Sequence, residues 1–270
     1  MVNNHPKALK VLFFTEMWER MSYYGMRGIL VLFMTASIQD GGLNFSNSSA
    51  SAIYGIYAAT VYLATLPGGW IADNLYGQQK TVLYGGIVIM FGHLILAIPN
   101  MSLFYLGLTL VVIGTGLLKP NISALVGGLY EDKIDMRESG FTIFYMSINL
   151  GSILGFFICG YLGENIGWHY GFGAAGIGML FGVIQYKLNI ESLGKTGISP
   201  SNSIKLEIKK KYERIVLVIS LFLSLFIISG LMGFWSIDPL PLANIITIVI
   251  ASISLACLLY TSPSPRDRSI

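Results

Sequence analysis

Phe14-Thr15-Glu16-Met17-Trp18-Glu19-Arg20-Met21-Ser22-Tyr23-Tyr24-Gly25-Met26-Arg27-Gly28 places four charges inside the first apolar run of the chain, and its reading decides the rest. At about 100° per residue, with Glu16 as zero, Glu19 falls near about −60°, Arg20 near +40°, Tyr23 near −20° and Arg27 near +20°. All of them share one stripe of one helix. An ionisable group at the centre of a bilayer costs at least a few kcal/mol unless it faces a bundle interior or a wet cavity, and such groups mark ion or substrate paths. The stripe is therefore expected to line a path. A self-neutralising structural pair would account for Glu16 and Arg20, which are i,i+4 partners, but it leaves Glu19, Tyr23 and Arg27 unexplained.

With 54% hydrophobic and 11% charged residues, the composition excludes an ordinary soluble domain and points to a polytopic membrane protein. Cys159 and Cys257 lie in apolar surroundings, which speaks against a disulfide framework or a zinc site. His5, His93 and His169 lack ligand spacing, so no metal site is expected. The first apolar run is full length and carries charges where a signal peptide is clean, so it is expected to stay in the mature protein. Gly171-Phe172-Gly173-Ala174-Ala175-Gly176 matches a dinucleotide fingerprint letter for letter, yet it lies inside an apolar run with no strand before it. It is read as helix packing.

Apolar runs of about 20 residues predict helices near 8–37, 49–75, 79–98, 102–129, 140–164 and 168–189, and a further pair near 208–234 and 241–259. The connections Gln39 to Ser51, Pro99 to Met101, Glu164 to Gly167 and Ser236 to Pro239 carry no Lys or Arg. The alternate connections carry Lys7 and Lys10, Lys80, Lys133 and Arg137, and then Lys187, Lys195, Lys205, Lys209, Lys210, Lys211 and Arg214. By the positive-inside rule the N-terminus is expected to be cytoplasmic. The basic run from Lys205 to Arg214 reads as an anchor at an anionic leaflet, not as a nucleic-acid site.

Lys119 lies in the fourth run, and at about 1.5 Å per residue it reaches the same depth as Glu16 and Glu19, roughly 10–20 Å inside the cytoplasmic end. These groups are expected to meet. Three deep cations, Arg20, Arg27 and Lys119, face two carboxylates, so a surplus positive charge in a low-dielectric cavity invites an anion. A peptide's C-terminal carboxylate fits, since arginine binds it bidentately and lysine adds a point charge. Protonation of a glutamate would free its cation for the substrate, a physical route to proton coupling. Tyr23, Tyr24, Tyr54 and Tyr62 are candidates to supply hydroxyls and rings.

The first-helix stretch resembles the E-x-x-E-R-F-x-Y-Y-G motif of the proton-dependent oligopeptide transporter (POT/PTR) family of the major facilitator superfamily, with Met21 at its Phe position. Three further stretches agree with it: Gly68-Gly69-Trp70-Ile71-Ala72-Asp73 with Gly77 and Lys80, Gly114-Thr115-Gly116-Leu117-Leu118-Lys119-Pro120-Asn121-Ile122-Ser123, and Phe144-Tyr145-Met146-Ser147-Ile148-Asn149-Leu150-Gly151-Ser152. The resemblance runs to about residue 190 and more weakly to about 256.

It implies an all-α, polytopic fold: an N-terminal six-helix bundle of two inverted three-helix repeats over residues 1–190, a basic cytoplasmic linker over 191–213, and an extra transmembrane hairpin over 214–256. Function would be proton-coupled symport of di- and tripeptides across a plasma membrane, the bacterial inner membrane, with a second six-helix half completing the bundle. No cofactor is implied beyond the coupling proton, and no nucleophile–base constellation argues for an enzyme. Glu16, Glu19, Arg20 and Lys119 would carry proton coupling, the lysine pairing with the glutamates. Arg20, Tyr23, Tyr24, Arg27, Tyr62, Lys119 and Asn149 would bind the substrate. Gly69, Asp73, Gly77 and Lys80 match the superfamily's cytoplasmic loop signature, a conformational latch in which Asp73 caps a helix end or pairs with a cation. Gly55 stands where animal members carry a coupling histidine. A symporter of another small anion such as nitrate, or a non-transporting membrane scaffold, are the alternative readings.

Cys257-Leu258-Leu259-Tyr260-Thr261-Ser262-Pro263-Ser264-Pro265-Arg266-Asp267 resembles a reading-frame translation of a transposase sequencing adapter, so residues 257–270 are expected to be non-native and the chain to be the N-terminal half of a transporter, not a complete one. A genuine short tail, with two prolines after a helix stop, is the other reading.

Overall fold

The computed structural model describes residues 5–202, 207–216, 218, 229 and 238–260. Its described residues form helices joined by short turns: α1 Lys7–Thr35, α2 Asn47–Ile71, α3 Gln78–Leu96, α4 Met101–Gly128, α5 Arg137–Asn165 and α6 Trp168–Asn189. The helical residues 207–216 form α7, and α8 is Pro239–Tyr260. The first six expected spans and the last are thus met to within a few residues, the usual uncertainty of a helix end, whereas most of the span expected near 208–234 lies outside the described residues. Length and composition alone qualify Asn47–Tyr76, Gln78–Leu96, Met101–Gly128 and Ile134–Asn165 to cross a membrane. α1 misses that standard because Glu16, Glu19, Arg20 and Arg27 interrupt it.

Local chemistry sets the starts. Ser46 accepts from the Ser49 backbone N–H ahead of α2, and Asn100 accepts from the N–H groups of Ser102 and Leu103 ahead of α4. Each cap satisfies donors that the first turn leaves free. Inside the bundle, α1 packs on α5 and α6 as α4 packs on α2 and α3, and α3 packs on α6. Exchanging α1, α2 and α3 with α4, α5 and α6 preserves those pairings, which is the contact pattern of two three-helix repeats about a two-fold axis. α8 lies against α2.

Close backbone approach makes the α1–α5 pairing possible. A Cβ on Gly155 would lie 2.4 Å from the Met21 carbonyl oxygen, and one on Gly151 would lie 2.9 Å from Cβ of Arg20. The Gly151-x-x-x-Gly155 spacing therefore lets α5 press against the charged turn of α1.

Apolar packing divides into two clusters along the bundle axis. One contains Met21, Met26, Ile29 and Phe33 of α1 with Val111 and Phe172; the other contains Leu9 and Leu12 of α1 with Val82, Leu118, Leu125, Met179 and Tyr186. Glu16, Glu19 and Arg20 fall on α1 between them and are buried. A polar layer thus separates two apolar cores.

The stretch expected to begin the linker is packed on the bundle. After α6, residues 190–202 return across the bundle: Gln79 Nε2 donates to the carbonyls of Gly194 and Thr196 at 3.2 and 2.8 Å, and the Gln79 N–H donates to Gly197 O at 3.0 Å. Asn202 N–H donates to Asp73 O at 2.9 Å, and Ser201 Oγ donates to Asp73 Oδ1 at 3.3 Å. Asp73 was expected to cap a helix or pair with a cation; its described partners are instead this strap. Lys80 is exposed. Lys209, Lys210, Lys211 and Arg214 lie on helix α7, whose Tyr212 ring meets Trp70 of α2 edge-on at 5.1 Å. Lys205 and the expected non-native residues 261–270 lie outside the described residues, whereas 257–260 continue α8.

Gly77 shows what the strap demands. α2 closes in a wide π-type turn, Ala72–Tyr76, and Gly77 follows with φ 79° and ψ 160°. That region is essentially confined to glycine, and a Cβ there would meet Ile198 O at 2.3 Å. Gly77→Ala is expected to destabilise the folded protein by about 1–3 kcal/mol, read as a lowered thermal midpoint in detergent. An unchanged midpoint would show that the turn and strap relax freely.

Candidate functional site

The first-helix stripe closes on itself around Arg20. Its guanidinium Nε lies 2.9 Å from Glu16 Oε1 and also contacts Glu19 Oε2, and all three side chains are buried. One cation therefore holds two carboxylates in a low-dielectric layer. Such an arrangement is expensive to desolvate, and removing one partner leaves uncompensated charge. Even here the satisfaction is partial: Glu16 Oε2, Glu19 Oε1 and Arg20 Nη2 are buried without a hydrogen-bond partner.

Toward the other end of α1, aromatic rings replace carboxylates as partners of the cations. Arg20 Cζ stands 5.2 Å from the Tyr23 centroid and 6.0 Å from that of Tyr24. Arg27 Cζ stands 6.0 Å from the Tyr23 centroid and 5.1 Å from that of Tyr54, and its Nε–H donates to the Tyr54 hydroxyl. Tyr23 is thus shared by two guanidinium groups. Lys119 Nζ of α4 stands 4.5 Å from the Tyr62 centroid of α2. The expected ion pair of Lys119 with Glu16 or Glu19 is not formed: among the described residues both carboxylates have Arg20 as their ion-pair partner, and Lys119 remains within electrostatic reach of them. The reason is geometric, since a cation on the same helix needs no interhelical approach.

Arg27 and Lys119 are consequently held by π faces and hydroxyls, contacts worth about 0.5–2 kcal/mol each. A bidentate carboxylate is a stronger partner than a ring. The arrangement can accept an anion at these two cations without breaking a carboxylate pair.

Not every expected site residue joins the cluster. Tyr62 is 59% exposed, carrying Lys119 on an open face of α2. Tyr24 is half-buried against Phe156 of α5, centroids 6.3 Å apart, while Asn149 is exposed on α5. Gly69 lies in the last turn of α2, Asp73 and Gly77 in the turn that follows it, and Lys80 in the first turn of α3. Gly171 to Gly176 lie within α6, so the dinucleotide match is helical.

Tyr57 and Thr115 were missed by the sequence reading. Both are buried with hydroxyls lacking hydrogen-bond partners. A signal existed for each: Tyr57 lies three residues after Tyr54, and Thr115 four before Lys119, spacings that share a helix face.

Comparison with known proteins adds the following. The sequence profile of the POT family, PTR2, matches residues 79–229. An uncharacterized transporter of Bacillus subtilis (strain 168), YclF, is 50% identical over 202 residues, covering 74% of this chain and 41% of that protein. A di-/tripeptide transporter of Lactococcus lactis subsp. cremoris is 40% identical over 254 residues, covering 93% of this chain and 50% of that protein. The crystal structure of a peptide transporter POT in complex with sulfate superimposes with a TM-score of 0.84 at 39% identity, covering 98% of this chain and 55% of that one. The chain thus spans half or less of the length of these two curated relatives.

Proposed function

The chain belongs to the POT family, as an all-α, multi-pass membrane protein, and we propose that it is the N-terminal half of a proton-coupled symporter for di- and tripeptides. The observation that carries this reading is the buried Glu16–Arg20–Glu19 cluster on α1, with Arg27 of α1 and Lys119 of α4 held by tyrosines. Glu16 and Glu19 take and release the coupling proton. Arg20 answers their charge until one of them is protonated, and then joins Arg27 and Lys119 in receiving the peptide's C-terminal carboxylate, with Tyr23, Tyr24, Tyr62 and Asn149 lining the rest of the site. A second six-helix half supplies the opposite wall, and the two halves rock about the substrate. Gly69, Asp73, Gly77 and Lys80 act as the cytoplasmic latch.

The N-terminus is cytoplasmic and the membrane is the plasma membrane, the bacterial inner membrane, consistent with the basic residues in alternate connections. No metal or organic cofactor enters this mechanism. Support for a peptide substrate comes from the relatives' names and from the intact Glu16-x-x-Glu19-Arg20 motif, which argues against a nitrate symporter. A scaffold gives no use to the buried charges at all.

Competition separates these readings. In the full-length transporter that carries this sequence, a dipeptide with an amidated C-terminus is expected to compete about tenfold or more weakly than the free acid, the loss of one charged hydrogen-bonding partner. Arg27→Ala and Lys119→Ala should each weaken the free acid and leave the amide little changed. Equal competition by acid and amide would overturn the carboxylate assignment, and competition by nitrate at similar concentrations would favour the other symporter.

A further inference from the structure

Tyr57 takes no part in the arrangement described above, yet it is packed against it. Its side chain is 4% exposed, and its ring stacks on Tyr23 with centroids 6.5 Å apart and planes at 29°. Tyr23 is the ring that Arg20 and Arg27 share. The Tyr57 hydroxyl is buried and has no hydrogen-bond partner. From α1 it is faced by Glu19, Arg20, Tyr23 and Arg27, all within electrostatic reach. Lys119 of α4 is engaged with Tyr62, and α8, also packed on α2, carries no charged side chain.

A buried hydroxyl without a partner loses its hydration and gains nothing in return, so phenylalanine would fill the same space at lower cost. Glu19 has the complementary deficit, because both of its carboxylate oxygens lack a hydrogen bond although Arg20 touches one of them. A tyrosine hydroxyl can donate to a carboxylate and accept from a carboxylic acid. It is therefore suited to hold one carboxyl group in both charge states.

We propose that Tyr57 is a positioning residue of the coupling site: its hydroxyl takes over the Glu19 carboxyl when Arg20 turns to the substrate, donating while Glu19 is ionised and accepting once it is protonated. The ring meanwhile fixes Tyr23 between the two arginines. No proton leaves Tyr57 in this exchange. The inference rests on the symport reading above and extends it to a residue on α2.

The test is Tyr57→Phe in the full-length transporter, reconstituted in proteoliposomes. Its thermal midpoint should equal or exceed that of the wild type, since only an unpartnered hydroxyl is removed. Peptide exchange at equal concentrations should persist. Accumulation driven by a pH gradient should fall about tenfold, as expected for losing one hydrogen bond to a charged group, and the pH profile of uptake should move. Site-specific 3-fluorotyrosine at position 57, which preserves shape while making the hydroxyl more acidic, should also shift that profile. Wild-type accumulation and an unmoved profile in Tyr57→Phe overturn the inference and leave symport standing. A joint fall of midpoint and exchange overturns it too, by making the role structural. Absence of gradient-driven accumulation in the wild type instead overturns the symport reading itself.

Discussion

Glu19→Gln in the full-length transporter is expected to abolish accumulation of dipeptide against its gradient, a loss of about a hundredfold or more by the scale of general acid–base contributions, while downhill exchange continues. Glu16→Gln should behave alike. The argument starts from charge: Arg20 is the ion-pair partner of both carboxylates in a layer closed above and below by apolar clusters. Protonating one glutamate lowers the negative charge that retains Arg20, and an arriving substrate carboxylate can then compete for the cation. Glutamine is permanently in the neutral state, so the site can still pass peptide but can no longer link its passage to a proton. Counterflow and gradient-driven uptake, measured on the same vesicles, separate the two activities. Undiminished accumulation in both variants would remove the glutamates from the coupling step.

Arg20→Ala should act on folding before it acts on transport. Without the guanidinium, Glu16 and Glu19 face each other buried and uncompensated, a situation that costs about 3–5 kcal/mol. Gly151 offers no side chain on α5 to refill the space beside the Arg20 stem. A lower thermal midpoint is expected, with the deficit shrinking as pH falls, because protonated carboxyls no longer repel. The matching control is the triple change Glu16→Gln, Glu19→Gln and Arg20→Met, which removes every charge at once and should recover most of the lost stability while remaining unable to couple. If the single variant is as stable as the wild type across pH, the cluster does not bear the electrostatic load assigned to it.

Much of the fold is legible in the residues because a bilayer leaves few options: apolar runs of the right length must be helices, and Lys80, Lys133 and Arg137 fall in alternate connections. The stripe from Glu16 to Arg27 is legible for the same reason, since angular spacing alone aligns it. Spacing does not say which partner wins. Depth brings Lys119 level with the glutamates, but the choice between a carboxylate on α1 and the Tyr62 ring on α2 depends on how α2 and α4 cross. The strap from Gly194 to Asn202 falls in the stretch expected to be a basic linker, whose polar, aperiodic sequence carries no burial signal; it is ordered by carbonyls accepting from Gln79 and by Asp73. Tyr57 was passed over because an orphaned hydroxyl becomes visible only when its surroundings are known.

The most direct test of the central claim is uptake of a labelled dipeptide by proteoliposomes of the full-length transporter under an imposed inside-alkaline pH gradient. Proton-coupled symport through the Glu16–Arg20–Glu19 layer predicts accumulation above the external concentration, collapsing to equilibration when a proton ionophore is added. Uptake that equilibrates to the same level with and without the gradient would contradict it.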